Sequence, residues 1–312
     1  MPTSTPSLPV VWHEAYEVDI GPHVFPTTKY RLVRDRLLEQ GTIQTWDILR
    51  PEAATDESVA LVHTAEYLRK IKTGTLSLEE QLVLEVPFSP ALREAAWICA
   101  GGSILAGRLA LERGIAVHLG GGFHHAFPDH GEGFCLINDV AIAIRALGRE
   151  GLIRKALVID CDVHHGNGTA AIFAQDPAVF TFSIHQEHNY PAWKPPSDLD
   201  VGLEDGTGDA EYLGVLDKHA PDILARHRPD LAFYLAGADP YYEDQLGGLG
   251  LTLEGLRRRD ELVFELVDRA GIPVAVALAG GYALRREDTV EIHCETVRAA
   301  KRQLVKRSEV GR

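Results

Sequence analysis

The chain has 312 residues, of which 45% are hydrophobic and 24% are charged, and its formal net charge at pH 7 is -14. This balance is typical of a soluble globular protein that buries a sizeable core. The acidic charge argues against a nucleic-acid-binding protein, because that class usually presents clustered Lys and Arg to phosphates. It would either attract cationic substrates or only keep the protein in solution.

Neither a membrane span nor a secretory leader is expected. No apolar run approaches the roughly 18 residues that cross a bilayer, and residues 1–9 lack the basic and apolar regions of a signal peptide. We therefore expect a cytoplasmic protein whose four cysteines, none of them in a CxxC pair, stay reduced. No linker is visible, so the sequence predicts one domain over residues 11–305 between flexible ends at 1–10 and 306–312.

Apolar runs rich in β-branched residues alternate with helical patterns from residue 95 onward. Each run is short and almost continuously apolar, as expected for strands whose two faces are both covered by helices. This alternation predicts an α/β fold, a single-domain three-layer sandwich with a mostly parallel central sheet. The predicted strands are 114–119, 156–160, 179–184, 231–236 and 273–279, and the predicted helices are about 137–149, 168–175, 209–226, 252–269 and 285–303.

Polar side chains follow all five predicted strands. Because ligands bind outside the carboxyl ends of the strands in open α/β sheets, we expect these side chains to meet at one rim. The groups are, in chain order, His124 with His125, Asp162 with His164, His185, Asp239, and Tyr282.

The second group belongs to the motif Asp160-Cys161-Asp162-Val163-His164-His165-Gly166-Asn167-Gly168, which directly follows an apolar strand. Buried carboxylates are costly without a compensating cation or hydrogen bonds. Alternation along an extended strand places Asp160, Asp162 and His164 on one face. The motif therefore predicts a metal site. The alternative is a strand end whose acids cap the next helix and whose histidines are solvated.

A third ligand is available in Asp239. Together, Asp162, His164 and Asp239 would leave a metal an open position for water and substrate, as in catalytic zinc sites. Two carboxylates and one imidazole suit Zn2+, and Fe2+ or another borderline divalent ion fits the same set. For Asp239 alone, capping of a helix before Pro240 is the alternative interpretation.

Acid–base groups accompany these ligands. His124 and His125 follow three glycines, which allow the backbone to approach a bound group closely, and such a pair can divide proton acceptance and donation. Asp160 would accept a hydrogen bond from one imidazole and Asn167 from the other. Tyr282 would donate to an oxyanion forming on a metal-polarised carbonyl. The set predicts amide hydrolysis, while a merely polar loop is the alternative for the histidine pair.

Residues 185–208 form the one long irregular segment of the sequence, with Tyr190-Pro191 and Pro195-Pro196. A loop of this length in a compact domain is usually functional or mobile. We expect it at the edge of the site, with a passive surface insertion as the alternative.

Five motifs occur in this order: Gly120-Gly121-Gly122-Phe123-His124-His125, Gly133-Phe134-Cys135-x-x-Asn138-Asp139, the Asp160 to Gly168 motif, Gly237-x-Asp239, and Gly280-Gly281-Tyr282. With them the chain resembles the zinc-dependent histone deacetylases, which have the arginase–deacetylase fold. The similarity extends from Trp12-His13 to the helix after Tyr282. Within the family, the chain is most similar to the class IV branch and its bacterial relatives.

The resemblance implies a hydrolase that removes acetyl or longer fatty acyl groups from lysine side chains by attack of metal-activated water. The implied partner is an acyl-lysine protein or peptide. The implied site has Zn2+ on Asp162, His164 and Asp239, with His124, His125, Tyr282, Asp160 and Asn167 as catalytic residues.

Further residues are implied in substrate and potassium binding. Gly133 and Phe134 would line the acyl-lysine tunnel, with Tyr190 and Gly280 as further substrate-binding residues. A structural K+ would be bound by Asp160, Asp162, His164, Ser183 and Ile184.

Two features depart from common family patterns. Asn167 stands where many deacetylases have aspartate, so His125 is expected to be less basic. The segment after His185 lacks the usual aromatic tunnel motif, for which Tyr190 is the proposed substitute.

Other functions occur on this fold. Binuclear manganese ureohydrolases carry Asp-x-His-x-Asp, and Gly166 at the closing position favours one metal. An acylated small amine such as an acetylpolyamine is the alternative substrate, with Glu187 or Asp198 as an acidic gate. An inactive acyl-lysine-binding scaffold is the non-enzyme alternative. The sequence leaves the native metal and the oligomeric state open.

Overall fold

The structure, a computed structural model, describes residues 7–310. One eight-stranded sheet lies at its centre, and every pair of neighbouring strands in it is parallel. The strands are β1 (Val10–Val11), β2 (Ile48–Leu49), β3 (Ile115–His118), β4 (Ala156–Asp160), β5 (Val179–Gln186), β6 (Leu199–Leu203), β7 (Leu231–Leu235) and β8 (Val274–Ala277). Their order across the sheet is β2-β1-β3-β8-β7-β4-β5-β6.

Helices cover both faces of the sheet and bury its side chains in two apolar cores. In β4, Ala156 and Val158 contribute to one core, while Leu157 and Ile159 contribute to the other. The helices are α1 (Lys29–Glu39), α2 (Asp56–Val59), α3 (Ala65–Thr73), α4 (Leu78–Leu84), α5 (Pro90–Arg113), α6 (Asp139–Arg149), α7 (Asn167–Phe173), α8 (Asp209–His227), α9 (Leu253–Arg269) and α10 (Arg286–Val310).

The prediction of an α/β three-layer sandwich is confirmed, and the sheet is parallel throughout. All five predicted strands and all five predicted helices are present, with ends that differ by a few residues. Helices α5 and α6 pack on one face of the sheet, and α8, α9 and α10 pack on the other. Carboxyl ends of neighbouring strands therefore lie along one edge, as the sequence pattern required.

The prediction for residues 185–208 is wrong in part. Strand β5 continues to Gln186, so His185 lies within the strand instead of following it. The predicted irregular segment contains β6, which pairs with β5 and places Gly202 opposite His185. Pairing with a further strand extends β5 beyond its last apolar residue, which the apolar pattern alone could not indicate.

Five helices between residues 7 and 114 were not predicted. The longest, α5, has buried residues around most of its circumference, so it lacks the one-sided apolar stripe that marks a surface helix. Its beginning is nevertheless marked in the sequence, because the Ser89 hydroxyl accepts a hydrogen bond from the Leu92 amide and Pro90 occupies the first helical position.

The domain boundaries at 11 and 305 stay a prediction. Leu8 is buried, Val10 belongs to β1, and α10 runs to Val310, so regular structure extends past both boundaries. Residues 1–6 and 311–312 of the predicted flexible ends lie outside the described residues. Within residues 7–310, no helix combines the length and the apolar character needed to cross a bilayer. The four cysteines are free and buried.

Arg259 of α9 ties together the ends of two neighbouring strands. Its guanidinium is fully buried, and Nη1 donates to the carbonyl oxygens of Gly237 at 2.6 Å and Cys161 at 3.3 Å. Its Nε donates to the Asp260 carboxylate at 2.9 Å, and that carboxylate also accepts from the hydroxyl of Tyr234. Arg259 thus fixes the backbone one residue before Asp162 and two residues before Asp239.

We predict that Arg259→Met lowers the free energy of unfolding by about 3–5 kcal/mol, because it leaves the Asp260 charge buried without its cation. Urea titration followed by circular dichroism measures this change. Arg258→Met, which changes the exposed neighbouring arginine in the same helix, is the control and should stay within about 0.5 kcal/mol of the wild type. Equal stability of the two variants would contradict the structural role of Arg259.

Candidate active site

Three potential metal ligands converge at the carboxyl edge of the sheet. Asp162 and His164 lie in the turn after β4, and Asp239 follows β7, the neighbouring strand. His164 Nδ1 lies 3.0 Å from Asp162 Oδ1 and 3.5 Å from Asp239 Oδ2. All three side chains are buried, with Asp162 2% and Asp239 0% exposed. The three ligands predicted from sequence are therefore adjacent in space.

The charges of this group fit a divalent cation. Asp239 Oδ2 is buried and accepts no hydrogen bond from the described residues. Burial and the neighbouring Asp162 raise the pKa of Asp239. Burial alone would lower the pKa of His164, but the two carboxylates outweigh it and raise that pKa to about 10. A cation among these three side chains would neutralise the carboxylates and fill the vacant acceptor position of Asp239.

Backbone groups hold the two carboxylates in place. The amide of Val163 donates to Asp239 Oδ1 at 2.9 Å, and the amide of Gly280 donates to Asp162 Oδ2 at 2.8 Å. A Cβ atom at Gly280 would lie 1.9 Å from Asp239 Oδ2 and 2.6 Å from Asp162 Oδ2. Only glycine therefore allows the β8 loop to approach the ligands this closely. Gly280, predicted as substrate-binding, thus lies in direct contact with the ligands.

The two histidines before α6 face the ligand group. The Nε2 atoms of His124 and His125 lie 3.1 Å apart, and His124 Nε2 lies 3.7 Å from Asp162 Oδ1. His124 Nδ1 donates to Asp160 Oδ2 at 2.7 Å. Burial opposes the charged form, yet Asp160 and Asp162 raise the pKa of His124 to about 9. His124 is thus the more basic histidine of the pair.

The partner of His125 is an amide. His125 Nδ1 donates to Asn167 Oδ1 at 2.7 Å, which leaves Nε2 unprotonated in the neutral imidazole. Burial, followed by the charges of His124 and His164, lowers the pKa of His125 well below its ordinary value. Burial is the largest cause of this lowered pKa, and the effect of Asn167 in place of aspartate stays a prediction.

Tyr282 lies across the cavity from the histidine pair. Its backbone amide donates to Asp244 Oδ2 at 2.7 Å, and its ring packs at 5.9 Å from the ring of Phe134. The cavity next to the ligands is lined by both predicted catalytic histidines, Gly133, Phe134, Gly280 and Tyr282. Tyr190 lines its outer part, together with the exposed Glu85. The sequence-predicted substrate residues therefore surround one cavity.

The predicted potassium ligands also lie close together. Asp160 is paired with Ser183 in the register of β4 and β5, and Ile184 follows in β5. Asp160 Oδ1 accepts from the amide of Asp162 at 3.1 Å, while Asp160 Oδ2 accepts from His124. The potassium site stays a prediction.

Comparison with known proteins now gives the family. Residues 23–297 match the protein family described as Histone deacetylase domain. The chain belongs to the histone deacetylase family. An uncharacterized protein of Picosynechococcus is 44% identical over 294 residues, covering 94% of this chain and 98% of that protein. Histone deacetylase 2 of Arabidopsis thaliana is 32% identical over 270 residues, covering 83% of this chain and 70% of that protein.

A solved structure confirms the fold. The crystal structure of the HD domain of HDA15 superposes with a TM-score of 0.78 at 24% identity, covering 96% of this chain and 90% of that chain. The predicted arginase–deacetylase fold is therefore confirmed, and family membership makes the protein a deacetylase-type amidohydrolase. Placement in class IV stays a prediction.

His185 does not join the site of this family member, contrary to the expectation of a five-strand rim. It lies beside His165, with ring centroids 4.7 Å apart, and His165 Nε2 donates to Asp200 Oδ1 at 3.0 Å. These three side chains are near enough to one another to bind a metal. However, a metal on His165 Nε2 would move the proton to Nδ1, which is buried without a partner among the described residues. We interpret this group as a hydrogen-bonded cluster.

Three residues at the site were missed from sequence. Asp244 accepts the amides of Tyr282, Leu246 and Gly247, and burial together with Asp239 raises its pKa to about 7. The fully buried Lys29 donates to the carbonyl of Ala279 at 2.7 Å, and burial lowers its pKa to about 8. Glu132 contacts Asn167. For Glu132 alone the sequence held a signal, a carboxylate directly before the Gly133-Phe134 motif.

We predict that Gly280→Ala weakens divalent metal binding about 10- to 100-fold, because its Cβ would displace the ligand carboxylates. Zinc bound per chain after loading and desalting, measured by elemental analysis, tests this. Gly148→Ala is the matched control, because a Cβ at this helical glycine meets nothing within 4 Å. Full zinc content in Gly280→Ala would contradict the close approach.

Proposed function

We propose that the protein hydrolyses the amide bond of acylated lysine side chains, releasing the free amine and a carboxylate. The observation that carries the proposal is the buried group of Asp162, His164 and Asp239 next to two histidines, one paired with a carboxylate and the other with an amide. Zn2+ is the proposed ion, with Fe2+ as the alternative, since two carboxylates and an imidazole suit both. We also propose K+ as a structural ion at the Asp160 and Ser183 position.

The protein side chains divide the proton transfers between them. A divalent cation on the three ligands would polarise the amide carbonyl and make water more acidic. His125, neutral and with Nε2 unprotonated, accepts the proton of the attacking water and delivers it to the nitrogen of the departing amine. His124, kept protonated by Asp160, supplies positive charge beside the developing oxyanion. The Tyr282 hydroxyl donates a hydrogen bond to the same oxyanion.

An apolar cavity supports acyl groups longer than acetyl. It adjoins the catalytic cavity, because Phe25, Tyr30, Phe123 and Phe134 line both. Beyond these four residues its lining is mostly apolar and includes Ala96 of α5. Each methylene group buried there would add about 0.8 kcal/mol of binding free energy. The acyl chain would therefore extend from the ligands into this cavity.

The outer cavity bears on the alternative substrate, an acylated polyamine. Neither Glu187 nor Asp198, the acids suggested from sequence, lines it, and Asp198 accepts the amide and hydroxyl of Thr181. Glu85 does line it. A carboxylate at this position would favour the distal ammonium group of a polyamine.

We expect butyryl-lysine peptides to exceed acetyl-lysine peptides in kcat/KM by about tenfold, because the apolar cavity buries two further methylene groups. Release of free amine by the zinc-loaded protein, measured on peptides bearing acetyl- to myristoyl-lysine and on acetylpolyamines, tests this.

The control is Ala96→Leu, which fills the apolar cavity. It should remove the gain for longer chains and leave acetyl-lysine turnover within about twofold of the wild type, since the cavity near the ligands is unchanged. Turnover of acetylpolyamines alone, reduced by Glu85→Gln, would instead establish the small-amine substrate. Silence on all substrates with zinc bound would favour an acyl-lysine-binding scaffold.

We expect Tyr282→Phe to reduce kcat about 10²- to 10³-fold with zinc content unchanged, because it removes one donor to the oxyanion and no ligand. Tyr242→Phe is the control, since Tyr242 is 56% exposed. Wild-type turnover in Tyr282→Phe would rule out its assigned role.

A further inference from the structure

Glu132 lies behind the amide that holds His125. Its Oε1 accepts a hydrogen bond from Asn167 Nδ2 at 2.7 Å, and Asn167 Oδ1 in turn accepts from His125 Nδ1 at 2.7 Å. Glu132 thus forms the third member of a continuous chain that ends at the candidate general base. Neither the family motifs nor the strand-end pattern assigns this glutamate a role.

The hydrogen bonds that link His125, Asn167 and Glu132 can run in only one direction, because a carboxylate lies at their far end. A carboxylate only accepts hydrogen bonds, so Glu132 selects the orientation of the Asn167 amide in which Nδ2 faces Glu132 and Oδ1 faces His125. An amide oxygen also only accepts, so His125 must carry its proton on Nδ1. Nε2, which lies 3.1 Å from His124 Nε2, is then left with its lone pair. Without Glu132, either orientation of Asn167 would be available.

Glu132 is held in its ionised form. Burial alone would raise the pKa of Glu132, but hydrogen bonds from His130, Asn167 and Tyr190 lower it below its ordinary value. The Glu132 side chain is 16% exposed, and His130 Nε2 lies 3.5 Å from its second oxygen. The carboxylate is therefore a partly buried acceptor with several donors around it.

The Glu132 carboxylate also binds Tyr190, which lines the outer part of the cavity. The Tyr190 hydroxyl donates to Glu132 Oε1 at 3.0 Å, and the Tyr190 ring stands perpendicular to the His125 ring with centroids 5.0 Å apart. A Cβ at the next residue, Gly133, would lie 2.8 Å from the His125 ring and 3.0 Å from the Tyr190 ring. The Glu132-Gly133 segment thus lies against both rings.

We propose that Glu132 is a positioning residue that orients the Asn167 amide and thereby fixes the tautomer of His125 required for proton acceptance. The proposal rests on the proposed function for its kinetic consequence, but the orientation itself is independent of turnover. Glu132 thus supplies a carboxylate that is separated from the His125 imidazole by the Asn167 amide.

Exchange of the two functional groups tests the proposal. In Glu132→Gln, the new amide no longer dictates the orientation of Asn167, and kcat should fall about 10- to 100-fold with KM and zinc content nearly unchanged. In Asn167→Asp, two carboxylates face each other with no donor between them, and kcat should also fall. In the double variant Glu132→Gln/Asn167→Asp, the carboxylate introduced at position 167 accepts from both His125 and the amide introduced at position 132. Its kcat should recover to within about threefold of the wild type.

Asp129→Asn is the control, since Asp129 contacts His130 and is largely exposed. It should leave kcat within about twofold of the wild type. Wild-type kcat in Glu132→Gln, or a double variant no better than the weaker single variant, would overturn the proposal.

Nitrogen-15 NMR of the histidine side chains provides a readout that does not require turnover. The His125 signals, identified by their loss in His125→Ala, should report the Nδ1-protonated tautomer in the wild type and a mixture of tautomers in Glu132→Gln. Unchanged signals in Glu132→Gln would overturn the positioning role even if the substrate is misassigned. Conversely, the tautomer change without turnover on any acyl-lysine peptide would refute the proposed function alone.

Discussion

The site is organised around two carboxylates that share one buried position. Asp162 and Asp239 are 2% and 0% exposed, and each lies within 3.5 Å of the same imidazole nitrogen. Like charges this close repel strongly in a medium of low dielectric constant. Asp162 accepts from the amide and imidazole of His164 and from the Gly280 amide, whereas Asp239 accepts only from the Val163 amide among the described residues. Three of the four carboxylate oxygens therefore have protein donors, and Asp239 Oδ2 has none among the described residues. Gly280 packs against this oxygen, where a Cβ would lie only 1.9 Å away.

Sheet order explains how separate parts of the chain meet these carboxylates. The strands β3, β8, β7 and β4 are consecutive neighbours, and the segments that follow them carry the histidine pair, Tyr282, Asp239 and Asp162. Because all four strands are parallel, their carboxyl ends open on the same edge. The next strand, β5, lies outside this group of four. Its histidine therefore joins a separate cluster with Asp200 of β6 instead of reaching the ligands.

The sequence predicts the parts of the site that follow strand ends, because strands buried on both faces are marked by continuous apolar runs. Lys29 could not be found in this way, since it begins α1 far from any strand and reaches the Ala279 carbonyl only through tertiary packing. The extent of β5 shows a different limit. Its apolar run ends at Ile184, yet pairing with the weakly apolar β6 continues the strand through Gln186. Because the predicted strand ends two residues too early, the sequence places His185 after the strand and among the site residues, whereas it lies within β5.

The two histidines of the site have different hydrogen-bond partners, a carboxylate for His124 and an amide for His125. Two imidazoles whose Nε2 atoms are 3.1 Å apart cannot both be charged at low cost, so their environments must differ. Asp160 contacts His124 directly and raises its pKa, whereas Asn167 gives His125 the same hydrogen-bond geometry without a full charge. The carboxylate of Glu132 lies one amide farther away, where it fixes the direction of the hydrogen bonds but stabilises a charged His125 less. Direction and basicity are thus controlled by separate residues.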